Sequence, residues 1–374
     1  VKNAQQSKQA NTMNRTTNDR KGWSLHVGIN QVSNAYYGNA VSPLRGCLRD
    51  MEKMESLCKK LGFDTRVLSN KNATLNNIQA SILKLADLAR PNDLVCITYA
   101  GHGTYLPDND GDEADGHDEA WVTYDGLLLD DVLFKLFQDF RPTVRILLIS
   151  DSCHSGTMAR FVSTANTASR YVPYEQIELV LKNHNLDVRT LRQQNAGIES
   201  IDDTMPRIKL LAACQDHEVA GETENGGLFT NAIIPLLLQK NSRMRLTYKR
   251  LIELAREKMP HTQNPQLKGE GGNWPEFDEE QVLSIDGKKA TDAFDDNGEA
   301  PSVHTPTAHT STDTALLIEN PQRLFMAADA GRKNRSDAPN AKEILPTKCL
   351  RDTSFLPGIL PWDKAYALAA MHPS

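Results

Sequence analysis

Apolar segments of strand length alternate with helical segments from residue 24 to about residue 259. The clearest strand-like segments are DLVCITYA (93–100) and VRILLIS (144–150). The stretches between such segments carry apolar residues at helical spacing, as in 48–61, where the pattern stops at Gly62. Strands that alternate with helices form right-handed βαβ units around a mainly parallel sheet. The sequence therefore predicts an α/β fold with a mainly parallel central sheet flanked by helices on both faces.

The composition changes at both ends of this pattern. Residues 1–22 contain no aromatic side chain and are rich in Asn, Gln, Thr and Lys, which predicts a disordered N-terminal arm. Residues from about 287 to 345 are dominated by small and polar residues, and 354–368 are apolar again. Residues 287–374 are therefore predicted to form an extended, partly disordered tail. The segment 23–286 is then a single domain. Its polar stretch 157–207 is interpreted as a loop insertion.

Charge and cysteine usage narrow the classes of partner. The chain has 48 acidic against 42 basic residues, a net charge of −6, which argues against nucleic acid or an anionic membrane as the main partner. No apolar run approaches the ~18 residues of a membrane helix, and the first 22 residues lack the apolar segment of a secretory signal. The six cysteines lie far apart, so neither a zinc site nor a disulfide framework is indicated. We expect a cytoplasmic protein with reduced thiols.

Polar residues directly follow two of the predicted strands. One strand runs into GHG (101–103) and another into DSC (151–153). Ligands of open parallel sheets bind at the carboxyl ends of the strands, where neighbouring strands would bring His102 and Cys153 together. A thiol with a pKa of ~8.5 needs a nearby imidazole to form thiolate at neutral pH. The pattern therefore predicts Cys153 as a nucleophile and His102 as its base.

The glycines beside His102 add an electrostatic element to this prediction. They allow a sharp turn that leaves the amide of Gly103 free to face a developing oxyanion together with the amide of Cys153. A single buried cysteine or loop histidine is usually structural. The matched positions of His102 and Cys153 after two strands favour catalysis instead.

These residues carry a resemblance to a known family. YAGHG (99–103) and DSCHSG (151–156) resemble the His and Cys motifs of the caspase-like cysteine peptidases, in particular the metacaspase and orthocaspase branch. Five further segments resemble the same family: LRGCLRD (44–50), DNDGDEADGHDEA (108–120), LAACQDHEVAGE (211–222), GLFTNAI (227–233) and QNPQL (263–267). The resemblance implies a monomeric endopeptidase that works through a thioester acyl-enzyme, with His102 as general base and acid and Cys153 as nucleophile.

Two aspartates bear on specificity. Asp151 lies two residues before Cys153, so strand alternation puts both side chains on one face, where the carboxylate would attract a cationic side chain. The resemblance implies that Asp151 and Asp50 line a pocket for Arg or Lys before the scissile bond. From the residues alone, Asp50 would be an exposed acid near a helix N-terminus. Ala100 stands where many relatives have Ser, which leaves the choice between Arg and Lys open.

A cluster of acids raises the question of a metal ion. Seven carboxylates lie in residues 108–119, and Asp130 and Asp131 follow. Their spacing does not fit an EF-hand loop. Resemblance to calcium-activated metacaspases implies Asp118, Asp130 and Asp131 as ligands, although Arg160 replaces a further expected Asp. The alternative is a solvated acidic loop followed by a helix start. We expect an enzyme that requires no cofactor, with calcium as the one cation that these acids would bind.

The polar stretch 157–207 also bears on regulation. It contains six basic residues: Arg160, Arg170, Lys182, Arg189, Arg192 and Arg207. In an enzyme specific for Arg or Lys these are candidate self-cleavage sites, because exposed loops are where nicking occurs. The sequence therefore predicts a cysteine endopeptidase, made latent and activated by self-cleavage, that acts on proteins or peptides with Arg or Lys before the scissile bond. The alternative is a catalytically silent caspase-fold scaffold that acts through its tails.

Overall fold

The computed structural model describes residues 19–107, 117–153, 168–186, 205–215, 218–270 and 275–291. Of the predicted disordered arm, 1–22, residues 1–18 lie outside these residues, but the prediction is wrong at its end, because Gly22 begins a buried strand. The predicted tail lies outside them beyond residue 291. The described strands are β1 (Gly22–Gly28), β2 (Phe63–Ser69), β3 (Leu94–Ala100), β4 (Gly103–Pro107), β5 (His117–Val122), β6 (Leu127–Leu129), β7 (Arg145–Asp151), β8 (Ala168–Ser169), β9 (Arg207–Ala212), β10 (Gly221–Thr223), β11 (Gly226–Gly227) and β12 (Gln266–Glu270). The described α-helices are α1 (Asn34–Tyr37), α2 (Cys47–Lys60), α3 (Leu75–Leu88), α4 (Asp130–Phe137), α5 (Tyr174–Asn183), α6 (Leu228–Leu238), α7 (Lys240–Met244), α8 (Tyr248–Arg256) and α9 (Pro275–Glu279).

Six of these strands form the central sheet, in the order β12-β9-β7-β3-β1-β2. The pairs from β9 to β2 are parallel, and β12 joins the edge antiparallel to β9. Every residue of β1, β3 and β7 is buried, as expected for central parallel strands that are covered on both faces. This confirms the predicted α/β fold with its mainly parallel sheet.

Helices cover the two faces of this sheet. The main core cluster joins Met54 of α2, Ile233 of α6 and Leu251 of α8 to inward-facing strand residues such as Cys96 and Leu147. Helices α3 and α4 pack against each other, and α3 also contacts β1. Thr74 begins α3 by accepting a hydrogen bond from the amide of Asn77 at 3.1 Å. No helix among the described residues is both long and apolar enough to span a membrane.

Two small antiparallel sheets stand beside the central one. One has the order β4-β5-β6 and continues directly from the end of β3. The other has the order β11-β10-β8. In the chain, β10 and β11 lie between the end of β9 and the start of α6, whereas β8 comes from an earlier segment. Neither sheet is predicted by the sequence pattern, because their strands are two to six residues long and carry no clear alternation. Together they frame the edge of the central sheet where β3 and β7 end.

The predicted loop insertion at 157–207 is wrong over its central part. Residues 154–167 and 187–204 lie outside the described residues, but 168–186 contain β8 and α5. Ile177, Val180 and Leu181 of α5 are buried, and their spacing is that of one helix face. At the other end of the domain, the amide of Thr291 donates to the carbonyl of Met244 at 3.0 Å. The packed domain therefore extends past the predicted boundary at 286, to at least residue 291.

Candidate active site

The register of the central sheet brings the predicted nucleophile and base to one place. Ala100, the last residue of β3, pairs with Asp151, the last residue of β7. His102 and Cys153 each follow two residues later, at the carboxyl edge of neighbouring parallel strands. Both side chains are buried, with exposed fractions of 6% for His102 and 0% for Cys153.

The hydrogen bonds of His102 determine which ring nitrogen can act as a base. Its Nε2 lies 2.8 Å from the carbonyl oxygen of Ser42. A carbonyl only accepts, so Nε2 carries the proton and Nδ1 keeps its lone pair. Among the described residues, the buried Nδ1 has no hydrogen-bond partner. Burial lowers the pKa of His102 to about 4, so the ring is neutral at physiological pH.

The loop that carries His102 is fixed by a buried tyrosine. The Tyr99 hydroxyl lies 2.6 Å from the His102 carbonyl and 2.9 Å from the Val122 carbonyl, both of which can accept from it. The Tyr99 ring also stacks on Trp121 at a centroid distance of 4.3 Å. These contacts tie the turn after β3 to β5 and hold the imidazole in a constant position.

The sulfur of Cys153 lies among hydrogen-bond donors. Its Sγ accepts from the amide of Ala220 at 2.7 Å, and the Ala220 carbonyl lies 3.4 Å away, where it can accept the thiol proton. A hydrogen bond from Cys214 to Cys153, together with burial, raises the pKa of the Cys214 thiol well above its usual value. Cys214 therefore stays protonated. These contacts hold the Cys153 sulfur in one position beside Ala220 and Cys214.

The amides of Gly103 and Cys153 both donate to one oxygen, the carbonyl of Arg170, at 2.9 and 3.4 Å. The sequence predicts a free Gly103 amide, and in the structure this amide is not free. The carbonyl that accepts from this amide belongs to Arg170. Arg170 lies outside the two motifs, in a segment that the strand pattern alone does not locate. The two amides converge on a single oxygen, as a site that stabilises an oxyanion requires.

The side chain of Arg170 is enclosed by three carboxylates. Its Nη2 lies 2.5 Å from Asp50 Oδ2, its Nη1 lies 3.0 Å from Asp151 Oδ1, and its Nε donates to Glu222 Oε2 at 3.2 Å. Nη1 also donates to the Asp151 carbonyl at 2.8 Å. The Arg170 side chain is fully buried. The structure thus brings the two predicted aspartates into one pocket and adds Glu222, which the sequence prediction missed.

The pocket acids are held by backbone groups of neighbouring elements. Asp50, in the first turn of α2, accepts from the amide of Gly227 at 2.8 Å. Asp151 accepts from the amide and the hydroxyl of Thr230, at 2.9 and 2.6 Å. Glycine is required at position 227, because a Cβ there would lie 2.3 Å from Asp151 Oδ2. With an exposed fraction of 1%, Asp50 is not the exposed helix acid that its sequence position alone suggests.

Burial and charge act in opposite directions in this pocket. Burial raises the pKa of Asp50 to about 6, even though the Arg170 guanidinium lowers it. Burial disfavours the Arg170 cation as well, but the charges of Asp151, Asp50 and Glu222 raise the pKa of Arg170 well above its usual value. Three carboxylates around one guanidinium leave an excess of negative charge. The pocket therefore stabilises a cation, and removal of that cation would leave buried negative charge without a partner.

The three acids of the calcium prediction lie at one end of the β5–β6 hairpin. Asp118 is buried in β5, and Asp130 and Asp131 begin α4 directly after β6. Asp130 Oδ1 accepts from the amide of Asp131 at 3.0 Å. Within the described residues, which leave out 108–116, no three His, Cys, Asp or Glu side chains are arranged to hold a metal ion. The calcium site at Asp118, Asp130 and Asp131 therefore stays a prediction.

Comparison with known proteins identifies the family. The model of the caspase domain, Peptidase_C14, matches residues 25–278, well over half of the chain. The chain belongs to the caspase-domain family. This confirms the family that the YAGHG and DSCHSG motifs indicate. The matched residues begin within β1 and include both motifs, the three pocket acids and all helices up to α8.

Fungal metacaspases are among the curated relatives of this caspase domain. Metacaspase-1A of Aspergillus clavatus is 37% identical over 158 residues, which cover 38% of this chain and 35% of the relative. Metacaspase-1 of Botryotinia fuckeliana is 38% identical over 149 residues, covering 36% and 34%. The chain thus spans about a third of the length of the curated relatives it matches. The crystal structure of protein GSU0716 from Geobacter sulfurreducens is similar, with a TM-score of 0.64, 30% identity, and coverage of 71% of this chain and 99% of that one.

Sequence reasoning missed two residues of this site. Glu222 closes the segment LAACQDHEVAGE, which carries part of the family resemblance, but no spacing rule connects it to Asp50 or Asp151. Arg170 is one of six basic residues in 157–207, and nothing in the sequence distinguishes it from the other five. His154, interpreted as a structural or surface residue, lies outside the described residues.

Proposed function

We propose that the protein is a cysteine endopeptidase that cleaves proteins or peptides after Arg or Lys. The observation that carries this proposal is the buried guanidinium of Arg170. It lies against Asp50, Asp151 and Glu222 while the carbonyl of the same residue accepts from the amides of Gly103 and Cys153. A substrate residue bound in the same way would present its carbonyl carbon beside the Cys153 thiol. The family resemblance supports a monomer, and the free cysteines of the described residues support action in the cytoplasm.

The reaction follows from the groups at this edge of the sheet. Cys153 Sγ attacks the substrate carbonyl, and the oxygen gains negative charge between the Gly103 and Cys153 amides. His102 Nδ1 takes the thiol proton and then gives it to the leaving amine, so that a thioester remains. Water then attacks the thioester, again losing a proton to Nδ1. Nε2 keeps its own proton throughout and donates it in a hydrogen bond to the Ser42 carbonyl, so that Nδ1 is always the nitrogen that exchanges protons.

Three separate acceptors favour Arg over Lys in this pocket. The Arg170 guanidinium uses Nε, Nη1 and Nη2 to reach Glu222, Asp151 and Asp50. An ammonium group is a point charge on a flexible stem and cannot present donors in this planar arrangement. We expect Lys to be accepted more weakly, because at least one buried carboxylate would lose its partner.

The direct test is hydrolysis of fluorogenic peptides that end in Arg, Lys or Asp before the reporter group. We expect turnover in the order Arg, then Lys, with no turnover of the Asp peptide, because three acids repel a carboxylate. Cleavage after Asp but not after Arg would contradict the proposal. No cleavage, together with no labelling of Cys153 by a thiol-reactive peptide ending in Arg, would favour the silent scaffold instead.

The pH dependence of Arg-peptide turnover should reflect the pocket rather than the base. The pKa of Asp50 is about 6, so below that pH its carboxyl takes up a proton and loses its attraction for a cation. With a pKa of about 4, His102 remains an unprotonated base through this range. The Asp50 value applies with the Arg170 guanidinium beside Asp50, which lowers the pKa. We therefore expect kcat/KM of an enzyme with a vacated pocket to begin to fall at or above about pH 6 and to keep falling below it. Steady-state rates on both sides of that pH measure this.

Alkylation of Cys153 by a small neutral reagent is the control for this pH profile. It needs the thiol and His102 but no cation pocket, so its rate should not share the fall near pH 6. If alkylation and peptide turnover decline together at the same pH, the base and not Asp50 controls the acid side.

The chemistry proposed here requires no cofactor, because a thiol, an imidazole and water complete it. Calcium bound through Asp118, Asp130 and Asp131 would then change the rate rather than supply a reacting group. We expect Arg-peptide turnover to persist in a chelator, with or without prior addition of calcium. Complete and reversible loss of turnover in the chelator would show that the metal is required.

We also propose that the enzyme is made latent and activated by self-cleavage in the segment 157–207. The burial of Cys153 in the intact chain supports latency, because a fully covered thiol cannot meet an external peptide bond. The six basic residues of the segment supply candidate cleavage sites for an Arg/Lys-specific enzyme.

A further inference from the structure

We propose that residues 168–172 are an internal substrate held in the active site, and that the bond between Arg170 and Tyr171 is the bond the enzyme cuts in its own chain. This inference rests on the proposed function and deepens it. It selects one site among the six basic residues of the segment. It also assigns a role to the Arg170 contacts that a purely structural ion pair would leave without explanation.

The residues before Arg170 bind as an added strand. β8 runs antiparallel to β10, with Ser169 opposite Gly221 and Ala168 opposite Glu222. The pairing continues at Arg170, whose amide donates to the Ala220 carbonyl at 3.0 Å. An extended peptide that joins the edge of a sheet through its main chain is a general mode of peptide recognition. The same backbone groups would bind any extended substrate, whatever its sequence.

Arg170 itself makes the contacts that the proposed reaction needs from the residue before the scissile bond. Its side chain fills the acidic pocket, and its carbonyl oxygen takes both amides that would stabilise an oxyanion. A structural cation would need only the first of these two sets of contacts. Their combination on a single residue points to a peptide bond positioned for attack by Cys153.

The residues after Arg170 are anchored as well. The amide of Val172 donates to the Gly103 carbonyl at 2.9 Å, and the hydroxyl of Thr104 donates to the Val172 carbonyl at 2.9 Å. Tyr171 forms a parallel bridge with Gly103, and its ring stacks on Tyr105 at a centroid distance of 6.3 Å. The bond between Arg170 and Tyr171 is therefore fixed on both sides rather than only at the pocket.

The connection along the chain makes this an intramolecular encounter. Arg170 follows Cys153 by 17 residues in the same molecule. A substrate segment linked to the enzyme is present at a high effective concentration, and an external peptide has to compete with it for the site. While the segment is intact it excludes other substrates and buries Cys153, so the same contacts that prepare the bond for cleavage also keep the enzyme latent.

The proposed step is the general reaction applied to the chain itself. The bond from Cys153 Sγ to the Arg170 carbonyl carbon forms, and the bond to the Tyr171 nitrogen breaks. The thiol proton passes through His102 to that nitrogen, which leaves as a new amino terminus. Water then hydrolyses the thioester, restoring the thiol and leaving Arg170 as a new carboxyl terminus. After cleavage the segment is held at one end instead of two, and the pocket opens to other substrates.

The experiment follows the intact mass of the purified full chain during incubation, together with Arg-peptide turnover. We expect two fragments, with new ends at Arg170 and Tyr171, and turnover that rises as they form. Cys153→Ala should stay intact. Arg160→Gln, the same chemical change in the same stretch of sequence, should be cut at Arg170 like the wild type. Arg170→Gln should stay intact and turn over the Arg peptide without a lag, because its pocket is empty.

Arg170→Lys separates loss of recognition from loss of folding. It keeps a positive charge among the three carboxylates. We expect a folded protein that is cut after residue 170 roughly tenfold to hundredfold more slowly, as one lost charged hydrogen bond implies. The rate of cutting should not change on serial dilution, because the step is intramolecular. A rate that falls in proportion to concentration would overturn cleavage within one molecule.

The outcomes distinguish this inference from the proposed function. A wild-type chain that stays whole while it hydrolyses the Arg peptide, with Arg170→Gln no faster, would overturn the internal substrate and leave the peptidase intact. If neither the wild type nor Arg170→Gln hydrolyses the peptide or is labelled by the Arg-ended probe, the proposed function itself fails.

Discussion

Replacing Cys153 with alanine is expected to reduce Arg-peptide turnover by at least about a thousandfold, since removal of a catalytic nucleophile typically has effects of this size or larger. The amides of Gly103 and Cys153 remain in the variant, so the site still binds a carbonyl oxygen, but no group can form the thioester. The measurement is the initial rate with the fluorogenic Arg peptide at a substrate concentration well below KM.

Cys96→Ala is the matched control for this loss. Cys96 is a fully buried thiol in the interior of β3, so the variant makes the same chemical change away from the active site. It should retain turnover, with a modest loss of stability from the small cavity. Thermal unfolding of both variants separates catalysis from folding. Turnover that survives in Cys153→Ala, or that is lost equally in a folded Cys96→Ala, would identify another nucleophile.

The sequence allows His102 and Cys153 to be paired because one geometric rule applies to both. Parallel strands in register end together, and each residue lies two positions beyond a strand end. No such rule reaches Glu222. It belongs to a strand of three residues, and it approaches Asp50 and Asp151 only because β10, α2 and β7 meet at the same edge. A contact of this kind depends on the packing of the whole domain.

The helix α5 shows a different kind of omission. Ile177, Val180 and Leu181 carry the spacing of an amphipathic helix, and all three are buried. The polar residues on either side of this short pattern make the whole stretch resemble a loop. The helix itself is therefore predictable from local periodicity. The position of Arg170, four residues before it, depends instead on two separate anchors, the edge of β10 and the Gly103 carbonyl.

The Gly103 amide shows that the geometry of the site and its occupancy by another part of the chain are separate questions. The GHG turn predicts where this amide points, and its convergence with the Cys153 amide agrees with that reasoning. Whether the amide is free depends on what else the chain can bring to it. The sequence between the nucleophile and Arg170 contains no signal that the chain folds back. Function is therefore predicted more readily than regulation in this protein.

Asp151→Asn is expected to lower kcat/KM for Arg peptides by roughly a hundredfold to a thousandfold, the effect of removing one partner of a buried ion pair. Asparagine keeps the shape of the side chain and an oxygen that can accept from the amide and hydroxyl of Thr230, as Asp151 does at 2.9 and 2.6 Å. It lacks the charge that attracts the cationic substrate residue. Steady-state rates with Arg peptides measure the loss.

Glu224→Gln is the matched control for Asp151→Asn, because it makes the same change of charge at an exposed acid two residues beyond Glu222. An exposed ion pair such as that of Glu224 with Arg45 contributes little, so this variant should behave like the wild type. Alkylation of Cys153 by a small neutral reagent, with each substitution placed in the Arg170→Gln chain so that the pocket is open in both, should proceed alike, because it needs the thiol and the base but no cation pocket. If Asp151→Asn loses alkylation as fully as peptide turnover, Asp151 orders the nucleophile itself. If it keeps full turnover of Arg peptides, the substrate cation binds elsewhere. Only loss of turnover with alkylation retained assigns the carboxylate to substrate recognition, because the charge of Asp151 is then needed by the cation and by nothing else in the reaction.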